Sequence, residues 1–192
     1  VVAADTRLIY STQVDASTGD QTILVPGRVV GLEVQDGGPT INKVHVSAGR
    51  ALTAADDGAP VALLEHNFAR HYELDPGLTV TISGGHELEV AGTGIAAEYF
   101  MVMTDEGGMA AEANFAALFV PLATAQEMVG REGLVNEVLV TVSEGTDVAT
   151  IRREIADAAA DADIGVSFMV PEDDRVYNWA YEDVENDQMI IN

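Results

Sequence analysis

The chain has 192 residues, 47% of them apolar, with 32 acidic against 9 basic residues, a formal net charge of -23 and a pI near 4.1. That length and apolar content suffice for one large domain or two small subdomains with a real core, which excludes wholesale disorder. A field of that sign repels phosphate backbones and anionic lipid headgroups, which excludes nucleic acid as a partner.

A solvated surface accounts for the charge. Lys43 is the single lysine, and the abundance of Ala, Gly, Val and Asp fits a GC-rich genome and a salt-adapted one equally. There is no cysteine. Disulfides, thiolate metal sites and cysteine nucleophiles are therefore excluded. No run approaches about eighteen apolar residues, so no membrane span is expected within the chain. No signal peptide is expected either, since "VVAADTRLIY" has no charged n-region followed by an apolar h-region. The ending "NDQMIIN" turns apolar where it stops, and the chain is read as a piece of a longer protein.

Thr6 to Val14 is expected as a strand and Gln21 to Val34 as one or two more, with "DASTGD" as the turn between them. "QDGGPT" breaks the chain again, and Lys43 to Val46 forms a short alternating segment ended by Gly49. Val61 to Leu64 is expected as a buried strand. A helix follows from Glu65 to Leu74, with Phe68 and Tyr72 on one face. "DPG" at Asp75 to Gly77 is expected to stop it. Leu78, Val80 and Ile82 alternate with polar residues, Gly84-Gly85 is expected as a two-residue hairpin turn, and Leu88 and Val90 lie on the return strand.

"TDEGGMAAEAN", Thr104 to Asn114, is expected as a glycine-containing loop. Leu118 to Val120 is a strand ending at Pro121, and Ala123 to Arg131 a helix. Val138, Val140 and Val142 face one way on the next strand. Val148, Ile151, Ile155 and Ala159 line a helix ended by Gly165. Val166 to Val170 is expected as a strand. Pro171 opens a last helix with Glu172, Asp173 and Asp174 at its positive end and an apolar stripe of Val176, Ala180 and Val184. The order gives an α+β fold with a β-rich middle between two mixed ends, and no internal repeat is visible.

His66 and His71 lie five apart on one expected helix, whereas a metal pair on one face needs a spacing of about three or four. His45 and His86 stand alone. Glu172, Asp173 and Asp174 lack the spacing and glycine of a calcium loop. Tyr177, Trp179 and Tyr181 have the spacing of residues that pack on a sheet. No nucleophile elbow, P-loop or dinucleotide fingerprint is present. No catalytic, cofactor-binding or metal-binding residue is assigned, and no cofactor is expected.

Several phrases taken in order carry a resemblance. They are "HVSAGRALTAAD" (His45 to Asp56), "VALLEHNFARHYELDPGLTVTI", "HELEVAGTGIAAEYF", "FVPLATAQEMVG" and "VNEVLVTV". The series resembles the extracytoplasmic domain of ABC transporter permeases of the FtsX-like, MacB-like superfamily. Gly49 and Arg50 match that family's Gly-Arg pair, and Pro76-Gly77 its turn, with Leu78 where Asp is usual. Glu89 to Gly92 match the exit of its hairpin, and Phe119 to Leu122 its later strand. The resemblance implies a mixed Porter-like subdomain built from residues 1–50 and 135–192 and an inserted β-rich Sabre-like subdomain at 51–134.

It further implies a chain lying between two transmembrane helices on the extracytoplasmic face of the cell membrane, doing no chemistry itself. The implied partners are a cytoplasmic ABC ATPase, a second permease subunit and an extracytoplasmic adaptor, lipoprotein or cell-wall enzyme. Two other classes stay open. One is a stand-alone secreted or surface binding module. The other is a hydrolase with a dispersed carboxylate site, which requires a deep pocket and a carboxylate of raised pKa.

Overall fold

The computed structural model describes residues 1–99 and 114–169. It divides into two compact units, Val1–Thr141 and Val142–Asn192. The first holds strands β1 (Ala3–Asp15), β2 (Leu24–Leu32), β3 (His45–Gly49), β4 (Val61–Glu65), β5 (Thr79–Ile82), β6 (His86–Ile95), β7 (Ala116–Pro121) and β8 (Glu137–Thr141), with helices α1 (His66–His71) and α2 (Leu122–Met128). The second holds α3 (Val148–Asp161). The loop expected from Thr104 and the helix expected from Pro171 lie outside the described residues.

Six strands close on themselves in the order β1-β2-β7-β4-β6-β5 and back to β1. β1 and β2 form a long antiparallel hairpin from Arg7↔Leu32 to Asp15↔Leu24. β7 lies parallel to β2, β4 antiparallel to β7, β6 parallel to β4 and β5 antiparallel to β6. The pairs Val14↔Ile82 and Asp15↔Thr81 complete the ring. β3 is added to β6 outside it, and β8 to β1. Strands from 1–50 and from 51–134 thus share one closed sheet.

The pairing pattern is unchanged when β4 is exchanged with β7, β6 with β2 and β5 with β1. Each half is an antiparallel hairpin whose second strand runs parallel to a strand that turns straight into a helix. Leu63 and Phe119 face each other across the β4–β7 ladder, each the third residue before its helix. The sequence shows no repeat here, because "VALLEHNFARH" and "ALFVPLATAQE" share a burial pattern rather than residues.

Burial explains the strand composition. β4 and β7 are buried along their whole length, and accordingly read as near-continuous apolar runs. One cluster, including Val14, Val29, Leu64, Val80, Leu88 and Leu118, draws on all six strands and fills the ring. Phe68 on α1 and Leu122 and Ala125 on α2 join it. Phe68 also packs edge-on against Tyr72, with ring centroids 5.0 Å apart, as their spacing predicts. A second cluster of Val30, Leu32, Leu63, Ala117, Phe119 and Tyr99 covers the outer face of β2, β7 and β4. The α+β class holds, and Val138 and Val140 do share a face of β8, but it is an exposed one.

All three helices stop earlier than the breakers predict, and in one way. After α1 the N–H of Leu74 donates to the carbonyl of Ala69 at 2.9 Å and that of Glu73 to Arg70 at 3.4 Å. Arg131 and Gly130 repeat these bonds onto Gln126 and Glu127 after α2, and Ile164 and Asp163 onto Ala159 and Ala160 after α3. This is the Schellman cap, whose penultimate residue takes a left-handed conformation. Only α2 has glycine there, Gly130 at φ 62°; Glu73 sits at 54° and Asp163 at 58°. Apolar Leu74 and Ile164 follow the two acidic residues, and Leu74 is 4% exposed, so its burial holds Glu73 in place. Two further expectations are corrected. The β5–β6 loop has three residues, Ser83 to Gly85, because Ile82 pairs with His86. Val166 to Met169 forms no strand, since no ladder pairs with it among the described residues.

A left-handed conformation costs a residue bearing a Cβ about 1–2 kcal/mol, partly offset in glycine by its greater chain entropy. Glu73→Gly is therefore expected to raise stability by about 0.5–1 kcal/mol, and Gly130→Ala to lower it by about 1 kcal/mol. Urea midpoints of the two variants check this. Equal shifts of one sign would contradict the capping account.

Candidate functional site

The histidines do not converge. His66 and His71 are the first and last residues of α1. His66 Nδ1 lies 2.9 Å from Ser47 Oγ, which is also 2.9 Å from Thr93 Oγ1. His71 instead packs edge-on against Tyr72 at 4.7 Å between centroids. His45 opens β3 and His86 opens β6. Among the described residues no three His, Cys, Asp or Glu side chains gather as a metal site would require. Glu172, Asp173, Asp174, Tyr177, Trp179 and Tyr181 lie outside the described residues. Among the described residues, Asp15, Asp56 and Asp147 have carboxyls held low by hydrogen bonds. A general acid needs the opposite displacement.

Three of the matched phrases do converge, on one crossing of backbone. The N–H of Arg50 donates to Ala91 at 3.0 Å, and that of Gly77 to Val90 at 2.8 Å. Ala91 is the extra residue of a bulge, since Ala62 pairs with Val90 and Leu63 with Gly92. A Cβ on Gly92 would stand 2.6 Å from the carbonyl oxygen of Ala48 and 2.7 Å from that of Arg50. One on Gly49, already at φ 72°, would stand 2.6 Å from Gly92 Cα and 2.9 Å from Pro76 Cγ. Gly49 and Gly92 thus meet at one approach too close for side chains, with the ring of Pro76 packed beside it and the Gly77 N–H bonded across it. Arg50 secures its outer end. Its guanidinium grips Asp56 through two bonds of 2.8 Å, while Asp56 accepts from the N–H and hydroxyl of Thr53. The Arg50 hydrogen bond, helped by those from Thr53, lowers the Asp56 carboxyl to about 2.

Sequence reasoning missed a second ionic centre. Arg7 on β1 is 5% exposed. Its Nη1 and Nη2 donate to Glu98 at 2.6 and 3.0 Å, its Nε donates to Glu137 on β8 at 2.6 Å, and its Nη2 also pairs with Glu137. Asn42 donates to the same Glu98 carboxylate. Burial opposes the charge of Arg7, but the bonds and charges of the two glutamates outweigh it and hold the guanidinium's pKa above its usual value. Nothing in an arginine between Thr6 and Leu8 signals this, because its partners lie 91 and 130 residues away. The centre ties β8 and the 3₁₀ turn Ala97–Tyr99 to the ring.

Gly92→Ala is expected to cost at least about 3 kcal/mol or to prevent folding, whereas Gly58→Ala, with open space around it, costs about 1 kcal/mol for its positive φ alone. Arg7→Met is expected to cost about 3 kcal/mol, since it leaves two glutamates facing each other. Thermal unfolding of the three variants checks the ranking. Asp56 adds an acid limb. A carboxyl held below its unfolded value stabilises the fold above about pH 4, and that contribution fades as pH falls toward about 2. Asp56→Asn should therefore flatten the stability profile between these values while lowering stability at pH 7.

Residues 1–158 match the family model of the MacB-like periplasmic core domain. No curated protein sequence matches the chain. Among solved structures, the periplasmic region of MacB from Actinobacillus actinomycetemcomitans is similar with a TM-score of 0.54 at 13% identity, over 84% of this chain and 67% of that one. The extracellular domain of the noncanonic ABC-type transporter YknZ from Gram-positive bacteria is similar with a TM-score of 0.55 at 16% identity, over 83% and 77%. At these identities the two structures establish a shared fold, and the family model establishes membership. The chain belongs to the MacB-like periplasmic core domain family, and it is an extracytoplasmic domain of the MacB-like ABC-transporter type.

Proposed function

We propose that this domain does no chemistry of its own and transmits ATP-driven movement of a permease to substrates or proteins outside the membrane. The family match over residues 1–158 is the observation that carries this reading. No described helix is long and apolar enough to cross a membrane. The spans that carry the domain would therefore lie outside the described residues. Its partners are a cytoplasmic ABC ATPase, reached through those spans, a second permease subunit, and an adaptor, lipoprotein or cell-wall enzyme on the extracytoplasmic face.

The ring and its ionic centre suit such a part. A closed sheet moves as a rigid body, and rigid-body displacement is how domains relay a distant conformational change. The Porter-like and Sabre-like division is carried in the same proposal, with 51–134 an insertion in sequence whose strands complete a ring begun by β1 and β2.

Two measurements test the reading. In the parent gene, a span of about 20 apolar residues is expected on each side of the chain. In the intact transporter, amide exchange in β8 and α3 is expected to differ between the nucleotide-free and ATP-bound states, while exchange in β4 and β7 stays constant. A parent gene without spans, or an exchange pattern indifferent to nucleotide, would overturn it.

A further inference from the structure

The first unit carries a depression of about 410 Å³ assembled from five stretches of chain. Thr6 comes from β1, Glu33 follows β2, and Asp57 follows the 3₁₀ turn Ala54–Asp56. Leu122, Ala123 and Gln126 come from α2, with Gly133 and Val135 from the connection to β8. Its lining is mixed in a particular way. Leu122, Ala123 and Val135 supply aliphatic surface, and Glu33 and Asp57 supply two carboxylates. No described lining residue is cationic.

Among the described residues, neither carboxylate forms a salt bridge. Among the described residues, Glu33 Oε1 accepts from the hydroxyl of Thr6, at 3.3 Å, and Asp57 Oδ2 from the amide of Gln35, at 3.0 Å. The other oxygen of each accepts no side-chain hydrogen bond among the described residues. This contrasts with Glu98, Glu137 and Asp56, which spend their charge on Arg7 and Arg50. Gln126 is already turned to the carbonyl of Leu134, at 2.8 Å, which fixes that wall of the depression.

Aliphatic surface beside unpaired carboxylates is the complement of a cation on an aliphatic stem. Such a group buries its methylenes while its head keeps hydrogen bonds and charge. An anion would meet two like charges, and a purely apolar ligand would desolvate both carboxylates without replacing their water. The volume falls within the usual range of small-ligand sites. We propose that this depression binds an alkylammonium or alkylguanidinium group, the shared chemistry of a free polyamine and of a lysine or arginine side chain on another protein.

The 192-residue chain would be titrated at low and at about 150 mM salt with spermidine, with acetyl-Gly-Arg-Gly-amide, and with acetyl-Gly-Gly-Gly-amide as the blank. Binding would be followed by calorimetry and by amide shifts at Thr6, Gln126 and Gly133. Saturable binding of at least one cation is expected. Glu33→Gln/Asp57→Asn should weaken it at least tenfold, and Glu87→Gln/Glu89→Gln, which removes two exposed charges from β6, should change it less than twofold. Tighter binding of spermidine than of the peptide assigns the site to a free polyamine, and the reverse order to a protein side chain. The proposal fails if neither cation saturates. It also fails if both double variants weaken binding equally, since diffuse attraction to a strongly acidic chain would then account for everything.

Discussion

The structure depends on a backbone approach that tolerates no Cβ. β3 can lie against β6 only because Gly49 leaves room for the Ala91 carbonyl and Gly92 Cα, and Gly92 for the carbonyls of Ala48 and Arg50. The bulge at Ala91 shifts the β4–β6 register by one residue, and the pairs after it run from Leu63↔Gly92 to Glu65↔Gly94. Without the bulge, every side chain of one half of β6 would point to the other face. Val90, which is inside the ring, and Gly92, which is outside against β3, could not then both be placed. The crossing therefore sets the register of a central strand, and through it the composition of both clusters.

Closure has a second consequence. A sheet that ends on itself has no edges within the ring, so its edge problem is moved outward to β3 and β8. The two outer strands are held differently. β3 is fixed by the glycine crossing and by the Arg50–Asp56 pair beyond it. β8 is fixed by Arg7, through Glu137, and by Asn136, whose side chain bonds both the N–H and the carbonyl of Ile9. Arg7 is more buried than Arg50, whose side chain is 52% exposed, so the β8 tether loses less to solvent screening.

How far this was legible in the sequence depends on the range of each interaction. β4 and β7 were legible because burial on both faces demands unbroken apolar runs, and the β5–β6 hairpin because Gly84 and Gly85 must take positive φ. Three of the phrases carrying the family resemblance were legible for a related reason, since they hold Gly49, Pro76-Gly77 and Gly92, which meet at the crossing. Helix ends were misread because a buried Leu74 can force a glutamate into a conformation normally left to glycine. The closing ladder Val14↔Ile82 left no signal, being two ordinary apolar residues far apart in the chain. The cation depression left none either, because Glu33 and Asp57 are two acids among 32 until folding sets them beside Leu122 and Val135.

The half-to-half exchange symmetry of the ring bears on what this domain can offer a partner. Symmetry equates β4-α1 with β7-α2, yet the two halves differ where they meet the outside. At the start of α1 stand His66, Ser47 and Thr93 in a polar cluster. At the corresponding start of α2, Leu122 packs into the core, Thr124 bonds the carbonyl of Ala59 at 2.7 Å, and the surface beside them is hollowed into the depression. Packing alone does not require that difference, since both helices cover the same interior cluster. The two halves are alike in the core, and the surface at the α2 end, which leads into β8 and out of the ring, is where they differ.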